Sequence, residues 1–595
     1  MNDDIFARMR EAVLAALREI VPDLPEEACA KVEVTPTRDP AHGDMATNAA
    51  LVAARPARLP PAKLAAALAE KLSAMPELAL AEIAGPGFVN LRLHPRVLQA
   101  ILPVVLQRGI GFGASTSGAG QRVNIEYVSA NPTGPMHIGH CRGAVVGDVL
   151  ANLLAKTGFA VTKEYYINDA GNQVAALAWA TYWRYLQTIG TELTEADFAA
   201  EVPGGLQYRG EYLIPVGEAL AAIHGSKLAA EGGRIAAPDL WIDIVRDFTI
   251  AEMMRQISAD LKLLGVEPAV FSSERALVAT GVVDTVIEKL AADGLIYQGV
   301  LEPPKGKTPD DWEPREQTLF RATRFGDDVD RPLRKSDGSN TYFANDIAYH
   351  ADKIGRGFPI LIDVWGADHG GYVSRMKAAV KAVSGGTASL EVVLCQIVHI
   401  LRAGQPVRMS KRAGSFVTLR DLIEEVGADA VRFTMLTRKS DAQMEFDLDQ
   451  VVAQTRENPV FYVQYAHARC RSVLRGAVEM LGAEAVADLA LAGAELQSLT
   501  SEADMALIRR ISAWPRTVEG AALAREPHRI AFFLYDLAAD FHMLWNRGRE
   551  DTTLRFLQPD NPAETLTRLA LVAATATVIR SGLAVMGVSP VEEMR

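Results

Sequence analysis

Two histidines, His137 and His140, stand where a loop rich in proline and glycine leads into a predicted helix. The loop, residues 129–136, follows a strand-like run at residues 123–128. At a helix start the first N–H groups lack helical partners, and the helix dipole favours an anion. Because the histidines are three residues apart, they share a helix face and can donate to phosphate oxygens as negative charge builds up. The pattern predicts a nucleotide-binding loop; the alternative is two histidines with purely structural partners.

A cationic segment that could serve the same ligand lies far downstream, at residues 407–414. It contains Arg408, Lys411 and Arg412. An ammonium group on a loop, such as that of Lys411, can follow the β- and γ-phosphates of a nucleotide as pyrophosphate leaves. Alone, such a loop is usually a solvated turn, and only its combination with the histidines makes it specific.

A third candidate segment, residues 365–371, comes at the end of a strand-like run. In a doubly wound sheet such a strand end faces the ligand crevice. Gly366 would allow a ligand to approach the backbone closely, and Asp368 would accept hydrogen bonds from ribose hydroxyls. The alternative is a simple turn.

The scaffold for these groups is predicted from alternating strand-like and helical stretches. The strand-like runs are residues 123–128, 161–166, 360–365 and 391–400. Strands separated by helices predict an α/β, doubly wound parallel (Rossmann-type) catalytic domain. A long insertion, residues 180–345, separates its halves, and Asp337-Gly338 predicts a hairpin turn within it.

The two ends of the chain have different patterns. Helical apolar spacing over residues 5–20 and 61–72, with an alternating strand at residues 88–93, predicts an N-terminal α+β domain. Residues 111–120 are rich in glycine and serine and predict a flexible linker. After residue 451 the apolar spacing is helical, which predicts a C-terminal all-α helical bundle. The predicted domains are residues 1–115, 116–455 and 456–595.

Composition excludes several classes of protein. Hydrophobic residues make up 49% and charged residues 23%, as in ordinary globular chains. The four cysteines form no C-x-x-C pair, so we predict no zinc knuckle, redox motif or resident metal, in a reducing cytoplasmic setting. A net charge of −12 argues against a general nucleic-acid binder but not against a local basic surface. Asp3 and Asp4 are unlike the start of a signal peptide, and the apolar run at residues 570–579 is too short to span a bilayer.

The histidine segment resembles the HIGH motif of class I aminoacyl-tRNA synthetases, and residues 407–414 resemble their KMSKS loop. Arg408 replaces the first lysine of that pattern and Arg412 its last serine. Segments along nearly the whole chain resemble the arginyl-tRNA synthetases in particular. The resemblance implies that His137, His140 and Lys411 are catalytic. The residues it assigns to ATP are Pro132, Thr133, Gly134, Pro135, Met136, Ile138, Gly139, Gly366, Asp368, Met409 and Ser410.

The same resemblance assigns an arginine pocket. The residues that match the family's Glu-x-x-Ser-x-Asn and Tyr-x-x-x-Asp stretches are Glu126, Ser129, Asn131, Tyr342 and Asp346. A planar cation with five donors requires carboxylates, and by resemblance Glu126 and Asp346 face the guanidinium. Tyr342 would line the pocket, while Ser129 and Asn131 would hold the α-amino and carboxylate end. The alternatives are a satisfied strand-end carboxylate at Glu126 and a helix N-cap at Asp346.

Both terminal regions carry segments that resemble tRNA-binding parts of this family. Residues 458–469 resemble the hallmark segment of the family's anticodon domain. This resemblance implies that Phe461, Tyr465 and Arg469 bind tRNA. Aromatic rings can stack on splayed bases, and arginines can hold phosphates, although most of these rings must also pack the bundle. Residues 40–48 resemble the family's added N-terminal domain, where we predict a turn rather than a metal site.

Taken together, the resemblance implies ATP-dependent activation of L-arginine and its transfer to the 3′ end of tRNA(Arg). ATP with Mg²⁺ is the expected cofactor, with no membrane association and a monomeric state. One alternative is a class I synthetase for another amino acid, although a hydrophobic side chain would not justify acids at positions 126 and 346. The other is a non-catalytic tRNA-binding paralogue, which would be expected to have lost motif residues.

Overall fold

The structure, a computed structural model, describes residues 3–301, 315–407 and 417–594. The chain divides into two compact units. The first comprises Met1–Gly118, Lys156–Gly158 and Ala453–Arg595, and the second comprises Ala119–Ala155 and Phe159–Val452. The candidate catalytic and arginine-binding residues that the structure describes all belong to the second unit.

The N-terminal part of the first unit combines helices with a small sheet, as predicted. Its elements are α1 (Ile5–Ile20), α2 (Glu26–Ala30), β1 (Val34–Pro36), β2 (Met45–Thr47), α3 (Ala49–Ala57), α4 (Pro61–Ser73), β3 (Leu78–Ala84), β4 (Phe88–Leu93), α5 (Pro95–Gln99) and α6 (Ile101–Arg108). The antiparallel sheet has the order β1-β2-β4-β3. Helix α1 is capped by the Asp4 side chain, which accepts from the Phe6 N–H, and it buries Phe6, Val13 and Leu17.

Residues 111–118 of the segment predicted as a flexible linker belong to the first unit, and residues 119–120 belong to the second. Phe112 is fully buried, and its carbonyl accepts a hydrogen bond from Trp514 Nε1 at 3.0 Å. A Cβ at Gly113, where φ is +83°, would lie 2.7 Å from the Trp514 ring. The prediction was wrong because this glycine serves a close approach and a left-handed backbone rather than flexibility.

A five-stranded parallel sheet forms the centre of the second unit, as predicted. The strands of the unit are β5 (Arg122–Glu126), β6 (Ala160–Ile167), β7 (Val270–Ser273), β8 (Ile296–Gly299), β9 (Gln317–Phe320), β10 (Arg331–Arg334), β11 (Ile360–Gly366), β12 (Ser389–Cys395), β13 (Val398–Arg402), β14 (Gln405–Pro406) and β15 (Met444–Asp447). The central order is β12-β11-β5-β6-β7 with parallel pairing throughout. The strand order therefore reverses between β5 and β11, where α/β sheets bind ligands.

Helices surround this sheet. They are α7 (Ile138–Lys156), α8 (Asn172–Thr188), α9 (Glu195–Glu201), α10 (Ile214–His224), α11 (Ile242–Leu263), α12 (Glu274–Ala279), α13 (Val282–Ala292), α14 (Tyr342–Gly355), α15 (Val373–Val383), α16 (Leu419–Val426), α17 (Ala428–Thr434) and α18 (Leu448–Val452). Helices α8 to α11 share an aromatic core in which the rings of Tyr182 and Trp241 stack 3.7 Å apart. Strand β7 follows them in the chain, so a strand of the main sheet divides the residues predicted as one insertion.

The strand-like run at residues 391–400 is two strands rather than one. Strand β12 ends at Cys395 in the central sheet, whereas β13 pairs with β14 and β15 in a separate sheet. The apolar pattern continues across both strands, so it hides the break. The predicted turn at Asp337-Gly338 is confirmed: Gly338 has φ +82° and its N–H bonds the Lys335 carbonyl.

The C-terminal part of the first unit is helical, as predicted. Its helices are α19 (Pro459–Leu481), α20 (Asp488–Leu491), α21 (Glu502–Ser512), α22 (Trp514–Ala524), α23 (His528–Glu550) and α24 (Pro562–Met586). Helix α24 is long and apolar enough to cross a bilayer, but 89% of its most apolar window is buried inside the fold, as in a core helix. In the segment at residues 40–48, Asp44 accepts from the Leu93 N–H and pairs with Arg509 at 2.5 Å, which is a structural role.

Candidate active site

A cleft of about 1140 Å³ opens at the carboxyl ends of β5 and β11. Residues 128–131 and 133–135, both histidines of the motif, the end of β11 and residues 207–210 line it. The cleft therefore lies where the strand order reverses, at the position predicted for a nucleotide.

The two histidines are held as a pair at the start of α7. Their rings stack with centroids 4.0 Å apart at 27°. The His137 Nδ1 accepts from the Gly139 N–H at 3.1 Å, and the His140 Nδ1 accepts from the His137 N–H at 3.3 Å. Because each Nδ1 accepts, the proton of each neutral ring belongs on Nε2. Each ring can therefore act as a hydrogen-bond donor, which is the predicted role toward phosphate.

The loop residues assigned to ATP fall into two groups. Those that line the cleft are Thr133, Gly134, Pro135 and Gly139, and those buried beneath it are Pro132, Met136 and Ile138. The buried group can shape the loop but does not face a ligand. The loop begins with left-handed backbone at Val128 (φ +72°) and Ser129 (φ +39°), a strained conformation of the kind found at binding sites.

The chain returns to the histidine motif directly after the KMSKS-like loop. Thr418 forms an isolated β-bridge with His137, and the Leu419 N–H bonds the Met136 carbonyl at 2.8 Å. The Thr418 side chain also caps α16. The residues predicted for this loop, Met409, Ser410 and Lys411 with Arg408 and Arg412, lie outside the described residues.

The end of β11 contributes the third nucleotide segment. Gly366 and Asp368 both line the cleft, and the Asp368 side chain is 81% exposed. A Cβ at Gly366 would lie 2.4 Å from Asp368 Oδ1, so glycine lets this carboxylate fold back over the strand end. An exposed carboxylate at this position can accept from a ribose, as predicted.

Glu126, the last residue of β5, is buried and has two partners. Its Oε2 pairs with the Lys353 ammonium at 2.5 Å, and its Oε1 accepts from the Ser129 hydroxyl at 2.8 Å. Lys353 is fully buried and also contacts Asp363 at 3.3 Å. Lys353 and His350 outweigh the effect of burial and hold the pKa of Asp363 below its usual range. Glu126 thus matches the alternative of a satisfied strand-end carboxylate, and its partner Ser129 lines the cleft.

Asp346 is not a helix N-cap. Thr341 caps α14, and Asp346 lies in the body of the helix, where its Oδ2 accepts from the Tyr372 hydroxyl at 2.6 Å. Burial raises its pKa to about 6. The hydrogen bond from Tyr372 lowers the pKa, whereas the charges of Glu274 and Glu126 raise it. Because Glu126 contributes to the raised pKa of Asp346, the fold must place these two predicted acids within electrostatic range of each other.

Two further acids, Glu274 and Asp169, lie in the same neighbourhood and were not predicted as site residues from the sequence. Burial raises the pKa of Tyr166, and Glu274, Asp346, Glu126 and Asp169 raise it further, so all four carboxylates lie within electrostatic range of its hydroxyl. Tyr166 Oη is buried and has no hydrogen-bond partner among the described residues. We name these four acids the acidic cluster. A ligand rich in N–H donors would satisfy both the carboxylates and this hydroxyl.

Asn345 joins the acidic cluster from α14. Its Nδ2 donates to Glu274 Oε1 at 3.2 Å, while its Oδ1 is buried without a partner in the described part of the chain. The sequence contains a pattern that could have predicted a buried, ionisable face on α14. Asp346, His350 and Lys353 recur at intervals of four and three, which puts ionisable groups on the buried side of a helix. Glu274 was missed because β7, which positions it, was not predicted.

The other predicted arginine-site residues lie at the rim. The Ser129 hydroxyl, besides donating to Glu126, accepts from the Tyr166 N–H at 3.0 Å. Asn131 is exposed, lines the cleft and donates to Gln173 at 2.9 Å. Tyr342 is 75% exposed, which leaves its ring available to close over a ligand.

In the helical part of the first unit, two of the predicted tRNA residues, Tyr465 and Arg469, line a second pocket of about 900 Å³. The Arg469 guanidinium lies 4.2 Å from the centroid of Tyr465 and 5.0 Å from that of Trp545. The Phe461 ring stacks on Tyr465 at 5.6 Å. Tyr465, Arg469 and Trp545 line the pocket, so an aromatic and cationic surface is present where RNA binding was predicted.

Two neighbouring arginines that could hold phosphates are already engaged. Arg471 pairs with Glu592 at 2.6 Å, and Arg475 donates to the Glu592 carbonyl at 3.1 Å. An RNA phosphate would therefore have to displace the C-terminal residues to reach them.

Comparison with known proteins decides the family. The chain is 63% identical over 594 residues to the arginine–tRNA ligase of Gluconobacter oxydans (strain 621H), covering 100% of this chain and 98% of that protein. It is 56% identical to the arginine–tRNA ligase of Cereibacter sphaeroides (strain ATCC 17025 / ATH 2.4.3), covering 100% of both. The chain belongs to the arginyl-tRNA synthetase family.

Three parts of the chain match domain families. They are the arginyl tRNA synthetase N terminal domain at residues 7–93, the tRNA synthetases class I (R) catalytic domain at residues 102–195, and the DALR anticodon binding domain at residues 463–594. The structure of the Thermus thermophilus arginyl-tRNA synthetase is similar in fold, with a TM-score of 0.73 at 21% identity, covering 99% of this chain and 100% of that one. The resemblance inferred from the sequence is confirmed.

Proposed function

We propose that this chain joins L-arginine to the 3′ end of tRNA(Arg) at the expense of ATP. The observation that carries the proposal is the acidic cluster beside a cleft whose loop holds two hydrogen-bond-donating histidines. One region suits a planar cation and the other a polyphosphate. Full-length relatives at 63% and 56% identity bear the corresponding enzyme name.

In the first step a carboxylate oxygen of arginine attacks the α-phosphorus of ATP, and pyrophosphate leaves. His137 and His140 donate from Nε2 to the oxygens on which charge builds up. Cleft-lining Thr133, Gly134, Pro135 and Gly139 contact the nucleotide, with Pro132, Met136 and Ile138 supporting them. Gly366 and Asp368 hold the ribose end. Met409, Ser410 and Lys411 are proposed for the leaving pyrophosphate on the strength of the resemblance.

Mg²⁺ is proposed to enter with ATP rather than to occupy a resident site. No group of three His, Cys, Asp or Glu side chains suited to a metal occurs in residues 3–301, 315–407 and 417–594. Mg²⁺ is commonly held by substrate phosphates with one or two carboxylates, and Asp368 is an exposed carboxylate in the cleft. When bound, the ion neutralises charge on the phosphates.

Arginine selection is proposed to rest mainly on Asp346 and Glu274. Glu126 is neutralised by Lys353, so it positions the pocket more than it attracts a cation. Asp346 and Glu274 have no lysine or arginine partner among the described residues, and the guanidinium would supply that charge. Ser129 and Asn131 are proposed for the amino and carboxylate end, and Tyr342 for the open side.

In the second step the 2′-hydroxyl of the terminal tRNA adenosine attacks the adenylate carbonyl, the ester forms and AMP leaves. We propose that Phe461, Tyr465 and Arg469 contact the anticodon region. The proposed domains are residues 1–115 for tRNA, 116–455 for catalysis and 456–595 for the anticodon. A monomer acting in the cytoplasm without membrane contact completes the proposal.

The test is charging of total tRNA with each amino acid in turn. Arginine alone should be attached in an ATP-dependent reaction. Attachment of another amino acid would identify a different synthetase, and binding of tRNA without charging would identify a non-catalytic paralogue.

A further inference from the structure

One wall of the active-site cleft comes from the helical insert rather than from the sheet. Gln207, Tyr208, Arg209, Gly210 and Tyr212 line the cleft together with the histidine loop. None of them belongs to the residues assigned above to ATP or arginine. These side chains therefore line the cleft without a ligand assigned to them.

The wall is fixed to the histidine loop by Tyr212. Its hydroxyl donates to the Thr133 carbonyl at 2.7 Å, and a Cβ at Gly134 would lie 3.2 Å from its ring. Gly210 has no room for a side chain, because a Cβ there would lie 2.2 Å from the same ring. These contacts set the distance between the wall and the proposed phosphate site.

Arg209 is the one lysine or arginine among the described residues that line the cleft. Its side chain is 61% exposed, and its ion pair with Glu195 is long, at 3.5 Å, with Glu195 44% exposed. An exposed pair of this length contributes little, so the guanidinium can exchange its partner. Its backbone is held, because the Arg209 carbonyl accepts from Arg184 at 2.9 Å.

Two reactants carry phosphates that this guanidinium could meet, ATP and the tRNA end. The cleft, at about 1140 Å³, exceeds the ~300–1,000 Å³ of sites for a single small ligand. The Arg209 side chain is 61% exposed, so its guanidinium is accessible from solvent, as contact with an incoming polymer end requires. Arginine, tyrosine and glutamine side chains are also the groups that hold phosphates and bases of single-stranded RNA.

We propose that Arg209 binds the phosphate of the 3′-terminal nucleotide of the tRNA and so positions the terminal ribose over the proposed adenylate. This inference rests on the proposed function. It assigns Arg209 to the second step, with Tyr212 as the anchor that keeps the wall in register with the histidine loop.

The test compares wild type, Arg209→Ala and Arg209→Lys in binding to intact tRNA and to tRNA that lacks its 3′-terminal nucleotide. Arg209→Ala should weaken binding of intact tRNA about ten- to hundredfold, as expected for loss of a charge-assisted contact. It should leave the affinity for trimmed tRNA and the KM for ATP within about twofold. Arg209→Lys should recover part of the loss, because a lysine keeps the charge but not the bidentate geometry.

Arg234→Ala is the matched control, since Arg234 is an exposed arginine of the insert that does not line the cleft. It should change none of these values. Three results would overturn the proposal: equal weakening with intact and trimmed tRNA, a raised KM for ATP with tRNA affinity unchanged, or no change at all. Because binding is read without catalysis, a wild type that binds tRNA but attaches no arginine would refute the proposed function and not the contact.

Discussion

The nucleotide side and the amino-acid side of the cleft are built in opposite ways. The nucleotide side is largely one contiguous stretch, residues 129–140, that offers neutral donors from rings and backbone at a helix start. The acidic cluster draws its carboxylates from the ends of β5 and β6, the start of α12 and the body of α14. It is buried and charged, and one buried lysine balances part of it.

This difference predicts how substitutions on each side should affect the protein. A neutral donor can be removed at the cost of one interaction, because nothing charged is left behind. Removal of one member of a buried ion network leaves uncompensated charge, which costs more and spreads further. The amino-acid side should therefore affect stability and selectivity, and the nucleotide side mainly turnover.

Lys353→Met should produce the largest effect on the fold. It removes the ammonium that both Glu126 and Asp363 contact, so two buried carboxylates lose their lysine partner. We expect the free energy of unfolding of the catalytic unit to fall by about 3–5 kcal/mol. Urea denaturation measures it, with Lys381→Met on the exposed face of α15 as the control. An unchanged unfolding midpoint would show that the network contributes no stability.

Asp346→Asn should produce the largest effect on catalysis. The substitution keeps the shape but removes the charge that we propose faces the guanidinium, and kcat/KM for arginine should fall about 1000-fold. Steady-state charging measures it. Asp352→Asn, on the same helix but half exposed and paired with Arg356, should stay within about threefold. Equal effects at both positions would remove the distinction between a pocket acid and a surface acid.

His140→Ala should lower kcat about 100-fold and leave the KM for arginine within about threefold, since it removes one donor aimed at developing charge. Single-turnover kinetics separate chemistry from binding. His399→Ala, at an exposed position on β13, is the control. A raised KM for arginine with kcat unchanged would move this histidine from the nucleotide side to the amino-acid side.

The pH dependence of kcat/KM for arginine should be the smallest effect, and it should arise from the amino-acid side alone. Burial raises the pKa of Asp346 to about 6, so below pH 6 the carboxyl is increasingly protonated and cannot pair with a cation. We expect kcat/KM for arginine to fall about tenfold per pH unit below 6 and to be level above about pH 7. In Asp346→Asn this fall should disappear. A wild-type profile that is flat from pH 5 to 7 would contradict the shifted pKa.

Sequence reasoning succeeded where the signal is local. The histidine loop, helix α1 and the order of helices and parallel strands follow from spacing and turn residues within short windows. It failed where a long-range contact decides. Gly113 serves packing against Trp514 rather than flexibility, and β12 and β13 belong to different sheets although their apolar pattern is continuous. The roles of Lys353 and Glu274 depend on contacts between segments that are far apart in the sequence, so short windows could not predict them.

Discrimination between arginine and citrulline tests the central claim most directly, because citrulline has nearly the same shape without the charge. The wild type should prefer arginine by more than about 1000-fold in kcat/KM, and Asp346→Asn should reduce that preference by at least about tenfold. If the wild type charges citrulline comparably, or if Asp346→Asn keeps the full preference, the acidic cluster does not select the amino acid.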